Sequence, residues 1–214
     1  MTAERDAEPY SRGFRLWQFP LLRAFGILLM AILGRFRVYN KSRVPKSGGL
    51  LILSNHRSDC DPIAIQVACP RPIRFMGKKE LWEMAGVRGF LNWLKAFPVN
   101  RGEPDKSAIK HSVALLQAGE CVGVFPEGQL TETGELLPLK PGIALIVRLS
   151  GAPVICLGLR NTERIVPYGS LLPRPSMKQV TARWGEPKTF DRHADTEEIV
   201  AWAQKELSNL SSPE

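Results

Sequence analysis

Short apolar runs alternate with helix-period stripes along this chain. The stretches "FRVYN" (36–40), "GLLILS" (49–54), "IRFMG" (73–77), "FPVN" (97–100) and "CVGVF" (121–125) predict strands. "PVICLGL" (153–159) and "KQVTARWG" (178–185) predict two more. Between them, 79–95 predicts a helix broken by glycines. Residues 104–118 predict a helix with Ile109, Val113 and Leu116 on one face and a stop at Gly119. "GIALIVRLS" predicts a buried helix, and 196–210 a last one with Ile199, Trp202, Ala203 and Leu207 on one side. Strands alternating with helices predict an α/β fold, with a mixed, largely parallel sheet flanked by helices. In such sheets ligands sit at the carboxyl ends of the strands.

The N-terminal pattern differs. "AFGILLMAIL" (24–33) carries no charge. As a helix it is about 15 Å long, half of a hydrocarbon core of about 30 Å. Arg5, Arg12, Arg15 and Arg23 precede it, and Arg35, Arg37, Lys41, Arg43 and Lys46 follow, so the Lys/Arg asymmetry of a spanning helix is missing. No small-residue cleavage site follows, which fits a signal peptide poorly. The expectation is a helix or short hairpin lying in one leaflet, with a core helix as the plain alternative. Two parts follow: a basic, membrane-associated helical segment (1–46) and an α/β domain (47–214), at a length that suits one sizeable core.

Charge sharpens this. The net charge is +8, and residues 1–46 hold nine Lys/Arg against three Asp/Glu, or +6. Such a region favours a polyanion, and an anionic bilayer fits best because no basic-aromatic nucleic-acid module is recognisable. Cys60, Cys69, Cys121 and Cys156 form no CxxC, and no His is spaced for zinc. They read as small buried hydrophobes in a reducing cytosol.

Candidate chemistry clusters where strands end. His56 and Asp61 follow the greasy run 50–53, with Arg57 between them. An imidazole accepts a hydroxyl proton near neutrality, and a carboxylate on its other nitrogen fixes the tautomer. Five residues on a continuous helix are about 140° apart, so the chain must turn between the two. Pro62 suits a first helical position, which would make Asp61 an N-cap; Ser58 as a cap is the other local reading. Cys60 as a nucleophile is disfavoured by Asp59 and Asp61 beside it. Glu127 and Gly128 stand in the turn "FPEG", where glycine permits a conformation or a ligand approach that a side chain would block. Arg101, Lys78 and Lys79 follow other strands and are candidate anion ligands.

Together, "NHRSDCD", "FMGKKELW", the arginine of "FPVNRG", "FPEG" and "APVICLGL" resemble the lysophosphatidic acid acyltransferase family over roughly residues 45–170. The resemblance implies transfer of a fatty acyl group from an acyl thioester to the hydroxyl of lysophosphatidic acid, giving phosphatidic acid. It makes His56 the general base and Asp61 its partner. It puts Arg101, Glu127 and Gly128 in the acceptor site and Pro153 near the acyl pocket. Lys78, Lys79 and Arg57 are expected as further substrate contacts. The resemblance implies no cofactor and no metal beyond acyl-CoA or acyl-ACP as co-substrate. Backbone N–H groups at the start of the helix after Asp61 would hold the oxyanion. The expected place is the cytoplasmic face of the cell membrane, peripheral or monotopic, with acyl carrier protein as a possible partner. The family usually continues "FPEG" with Thr-Arg-Ser; here Gln129-Leu130-Thr131 follows, which loosens the acceptor's identity. Another lysophospholipid or glycerol 3-phosphate as acceptor, thioester hydrolysis, and non-catalytic binding of anionic membranes are the competing accounts.

Overall fold

The computed structural model describes residues 18–84, 86–93, 96–100, 105–170 and 172–212. The helices are α1 (Gln18–Gly34), α2 (Asp61–Ala68), α3 (Val87–Trp93), α4 (Lys106–Gln117), α5 (Gly142–Ser150) and α6 (Thr196–Ser211). The strands are β1 (Arg37–Tyr39), β2 (Leu50–Ser54), β3 (Ile73–Lys78), β4 (Phe97–Val99), β5 (Cys121–Val124), β6 (Val154–Arg160) and β7 (Thr181–Trp184).

Among the described residues these strands form one sheet in the order β1-β7-β6-β2-β5-β3-β4. β6, β2, β5, β3 and β4 run parallel; β7 is antiparallel to β6, and β1 is parallel to β7. β2 lies at the centre, buried on both faces, as an unbroken aliphatic run requires. Its Leu50 and Ile52 join a core with Met30, Ile65 and Trp184 under α1 and α2. Leu51 and Leu53 join a second core with Ile143, Ile199 and Leu207 under α5 and α6. Each such side chain contributes about 1.5–3 kcal/mol by leaving water.

The predicted fold class is borne out in its α/β part, and the differences are local. The strand expected over 178–185 is only Thr181–Trp184, because the Val180 N–H bonds the Gly34 carbonyl at the end of α1 (2.8 Å) instead of the ladder. β1 pairs with β7, so residues 37–39 are part of the sheet. α1 spans 17 residues, about 26 Å. No described helix is long and apolar enough to cross a membrane. Its Met30 is buried, while Leu21, Phe25, Leu28 and Ile32, spaced four, three and four apart, are exposed along one face.

Candidate active site

β2 delivers the site by stopping abruptly. Past Ser54, Asn55 replaces the ladder with its side chain: Nδ2 donates to the Leu159 carbonyl (3.0 Å), and Oδ1 accepts from the Leu159 N–H (2.7 Å). The clamp holds the strand end to β6 while the backbone of His56 turns away. The His56 N–H then donates to Glu127 Oε1 (2.7 Å), and its carbonyl accepts from the Thr131 N–H (3.0 Å). The imidazole stacks on Phe125, centroids 3.9 Å apart, and is only 7% exposed.

Asp61 is fully buried, and its Oδ2 is the hub of the turn. It faces His56 Nδ1 at 3.0 Å and accepts the Arg57 N–H (2.6 Å) and Ser58 N–H (2.8 Å). The loop between β2 and α2 folds around one carboxylate oxygen, which is how the two residues meet. A neutral ring with its proton on Nδ1 presents Nε2 as the base.

Two local expectations are corrected. Asp61 is not an N-cap: Cys60 holds that place, and the carboxylate reaches back into the loop. Nor does the helix start supply oxyanion donors. Pro62 has no N–H, and those of Asp61, Ile63 and Ala64 donate to the carbonyls of Ser58 and Cys60. Cys60 is unsuited to nucleophilic attack, as expected: burial, then Asp61, pushes its thiol up to about 12.

"FPEG" follows β5 and completes the carboxyl edge. Glu127 is buried, and both its oxygens are engaged: Oε1 with the His56 N–H, Oε2 with the Leu137 N–H (2.8 Å). Burial raises its pKa, opposed by those two donors. Glu127 therefore staples the two motif loops together, with its carboxylate turned inward. Gly128 adopts φ +75°, the left-handed region that suits glycine, and the Lys140 side chain runs 3.5 Å from where its Cβ would stand.

The other predicted residues divide. Lys78 and Lys79 are exposed at the end of β3, on the site's edge, with Lys78 Nζ 3.7 Å from Glu80. Arg57 turns outward from the turn, and its guanidinium donates to the Ser211 carbonyl at the end of α6 (3.4 Å). Gly158 makes room there, since a Cβ on it would meet the Leu210 backbone at 2.4 Å. Pro153 is not brought to the site. It precedes Val154, which pairs with Leu51, so it stands level with Leu50, about 13 Å of strand before Ser54. Arg101, like Arg5, Arg12 and Arg15, lies outside the described residues. Among the described residues on either side, Asp105 accepts from the N–H groups of Asn100 (2.8 Å) and Ala108 (3.0 Å).

Sequence reading missed Asn55, Phe125 and Lys140. The first sits inside the quoted motif, the second one residue before the "PEG" turn. Lys140 lies 12 positions past Gly128, and local spacing does not reveal it.

The sequence model of the acyltransferase family matches residues 35–160, more than half of the chain. The 1-acyl-sn-glycerol-3-phosphate acyltransferase of Bacillus subtilis is 38% identical over 129 residues, 60% of this chain and 64% of that protein. The enzyme of that name from Streptococcus pneumoniae is 27% identical over 165 residues, 72% of this chain and 61% of its own. Matched regions thus span just over three fifths of these two relatives' length. The crystal structure of the 1-acyl-sn-glycerophosphate acyltransferase PlsC from Thermotoga maritima superposes with a TM-score of 0.73 at 22% identity, covering 91% of this chain and 81% of that one, and shares its fold. By the extent of the family match, the chain belongs to the acyltransferase family.

Proposed function

We propose that this protein transfers a fatty acyl group from an acyl thioester to the hydroxyl of lysophosphatidic acid, forming phosphatidic acid. The observation that carries the reading is the His56 Nδ1–Asp61 Oδ2 contact of 3.0 Å at the carboxyl edge of the sheet. With Nδ1 engaged, Nε2 takes the proton of the acceptor hydroxyl as its oxygen attacks the thioester carbon. Asp61 stabilises the imidazolium that forms. The tetrahedral intermediate collapses, the C–S bond breaks, and Nε2 returns the proton to the departing thiolate. Coenzyme A or acyl carrier protein carries the thioester.

Lys140 beside Gly128 and Lys78 and Lys79 at the end of β3 supply positive charge for the acceptor's phosphate, with Arg101 as the further cation. The names of the relatives support lysophosphatidic acid as the acceptor. The exposed face of α1 supports a peripheral or monotopic membrane location: Leu21, Phe25, Leu28 and Ile32 enter one leaflet, with Arg35 and Arg37 at the headgroups.

The test is thioester consumption with and without a panel of lyso-acceptors, read by mass spectrometry. Acceptor-dependent turnover, highest with lysophosphatidic acid, is expected. Thioester breakdown that needs no acceptor would overturn the reading in favour of hydrolysis.

A further inference from the structure

Among the described residues, the segment between β6 and β7 carries the two most exposed large apolar side chains. Met177 is 92% exposed and Leu172 79%, and Tyr168 on the same segment is 53%. Leaving such side chains in water forgoes the free energy of their burial. The surrounding charge is one-sided: from 160 to 180 the chain holds Arg160, Arg164, Arg174 and Lys178 against Glu163. Arg164, Arg174 and Lys178 are exposed.

The segment is tied to both the N-terminal helix and the site. The Ser176 N–H donates to the Leu33 carbonyl (2.6 Å), next to exposed Ile32 at the end of α1. Ser58, inside the His56–Asp61 turn, donates from Oγ to the Val166 carbonyl (2.8 Å). The segment thus joins the exposed end of α1 to the rim of the candidate site.

We infer that residues 164–170 and 172–178 form a second membrane-docking element. Leu172 and Met177 enter the acyl region of an anionic bilayer, and Arg164, Arg174 and Lys178 meet its phosphates. Apolar tips flanked by cations match the two layers of such a surface, acyl chains beneath anionic headgroups. With α1 this gives the molecule two anchors on one rim, which hold the site mouth against the leaflet that supplies its lipid. The role of the anchor rests on the lipid acyltransferase reading.

The experiment compares the wild type, a Leu172→Ser/Met177→Ser double variant and an Arg164→Gln/Arg174→Gln/Lys178→Gln triple variant. Binding is measured on vesicles of phosphatidylcholine mixed with phosphatidylglycerol and of phosphatidylcholine alone. Turnover is measured on a short-chain lysophosphatidate soluble as a monomer. The double variant is expected to lose about tenfold in affinity on both vesicles. The triple variant is expected to lose about a hundredfold on the anionic vesicles only. Short-chain turnover should stay at the wild-type value in both. Unchanged vesicle binding would overturn the inference, as would short-chain turnover that falls along with binding. A wild type inert toward every lysophosphatidate, with vesicle binding still lost in the variants, would sink the acyltransferase reading and leave the docking element standing. Independently of variant folding, Met177→Cys can be labelled with a polarity-sensitive fluorophore, because the four native cysteines are buried. A blue shift on anionic vesicles is expected, and its absence would overturn the inference.

Discussion

The two ends of α2 each hold a pair of buried titratable side chains, and only one pair looks like chemistry. At its start, Asp61 meets His56. Just past its end, Cys69 shares a core with Cys121 at the start of β5, both thiols fully enclosed. The thiols titrate abnormally: the neighbouring Cys121 thiol, against burial and with help from Arg71, lowers Cys69, while Cys69 and burial push Cys121 up. Yet Cys121 pairs in register with Leu50 and Ile73 at the amino edge of the sheet. Arg71 beside it is spent on the carbonyls of Pro45, Gly48 and Gly119. Perturbed titration marks packing as readily as function. At the carboxyl edge there is also a ring nitrogen left over from Asp61, and the loops that follow the parallel strands gather around it.

The sharpest way to break this contrast is His56→Ala. Loss of a general base should lower turnover by about 10²–10⁴-fold. The thermal midpoint should move little, since the His56 backbone bonds to Glu127 and Thr131 survive. Steady-state rates beside a melting curve check it. A folded variant with wild-type turnover would falsify the catalytic assignment. Asp61→Asn should fall by a similar factor and, unlike His56→Ala, also destabilise the fold by about 1–3 kcal/mol. Its Oδ2 organises two backbone N–H groups; an uncharged amide oxygen in that place holds them more weakly, and its NH₂ is left buried where Oδ1 has no partner. A drop in turnover with an unchanged denaturation midpoint would mean that Asp61 does not build the turn.

Most of the sheet was legible because its signals are local. β2 and β6 are aliphatic runs, and α6 shows its buried face at Ile199, Ala203 and Leu207 as the period predicts. The His56–Asp61 pairing was legible as a motif, but not its mechanism: nothing in the spacing says that a single oxygen gathers the loop's N–H groups. The inward role of Glu127 was illegible for a related reason. Its partners are the backbones of His56 and Leu137, and a backbone N–H has no letter in the sequence. Pro153 shows another limit: it is close to a motif in sequence, but the parallel register sets it at the amino edge of the sheet, away from His56.

Glu127→Gln sharpens the comparison from the other side of the site. The amide must turn its NH₂ toward one of the two N–H donors that the carboxylate accepts, so a loss of about 1–3 kcal/mol is expected near neutral pH. The pH dependence has a definite sign. The folded pKa is raised, so the stability linked to protonated Glu127 is fully present below the ordinary glutamate value and is lost as pH rises through the raised one. The gap between wild type and variant should therefore widen as pH falls through that window. Denaturant melts at a series of pH values check this, and a gap that narrows on acidification would reverse the role given to burial.

The smallest expected effect is the control on the other end of α2. Cys121→Ala removes one enclosed sulfur from the core, a site 1% exposed. The comparable loss of one buried methyl-sized group costs about 1 kcal/mol. In a chain of this length that is a fall of about 2–4 °C in Tm. Turnover at a temperature where the variant is fully folded should match the wild type, because the thiol lies a whole strand away from the carboxyl edge and α2 is fastened at its start by Asp61 itself. A fall in turnover of about tenfold, or 1.4 kcal/mol of lost transition-state stabilisation, would mean that α2 transmits packing at Cys121 to the His56 ring. The amino end would then belong to the catalytic machinery, and the contrast between the two ends would collapse.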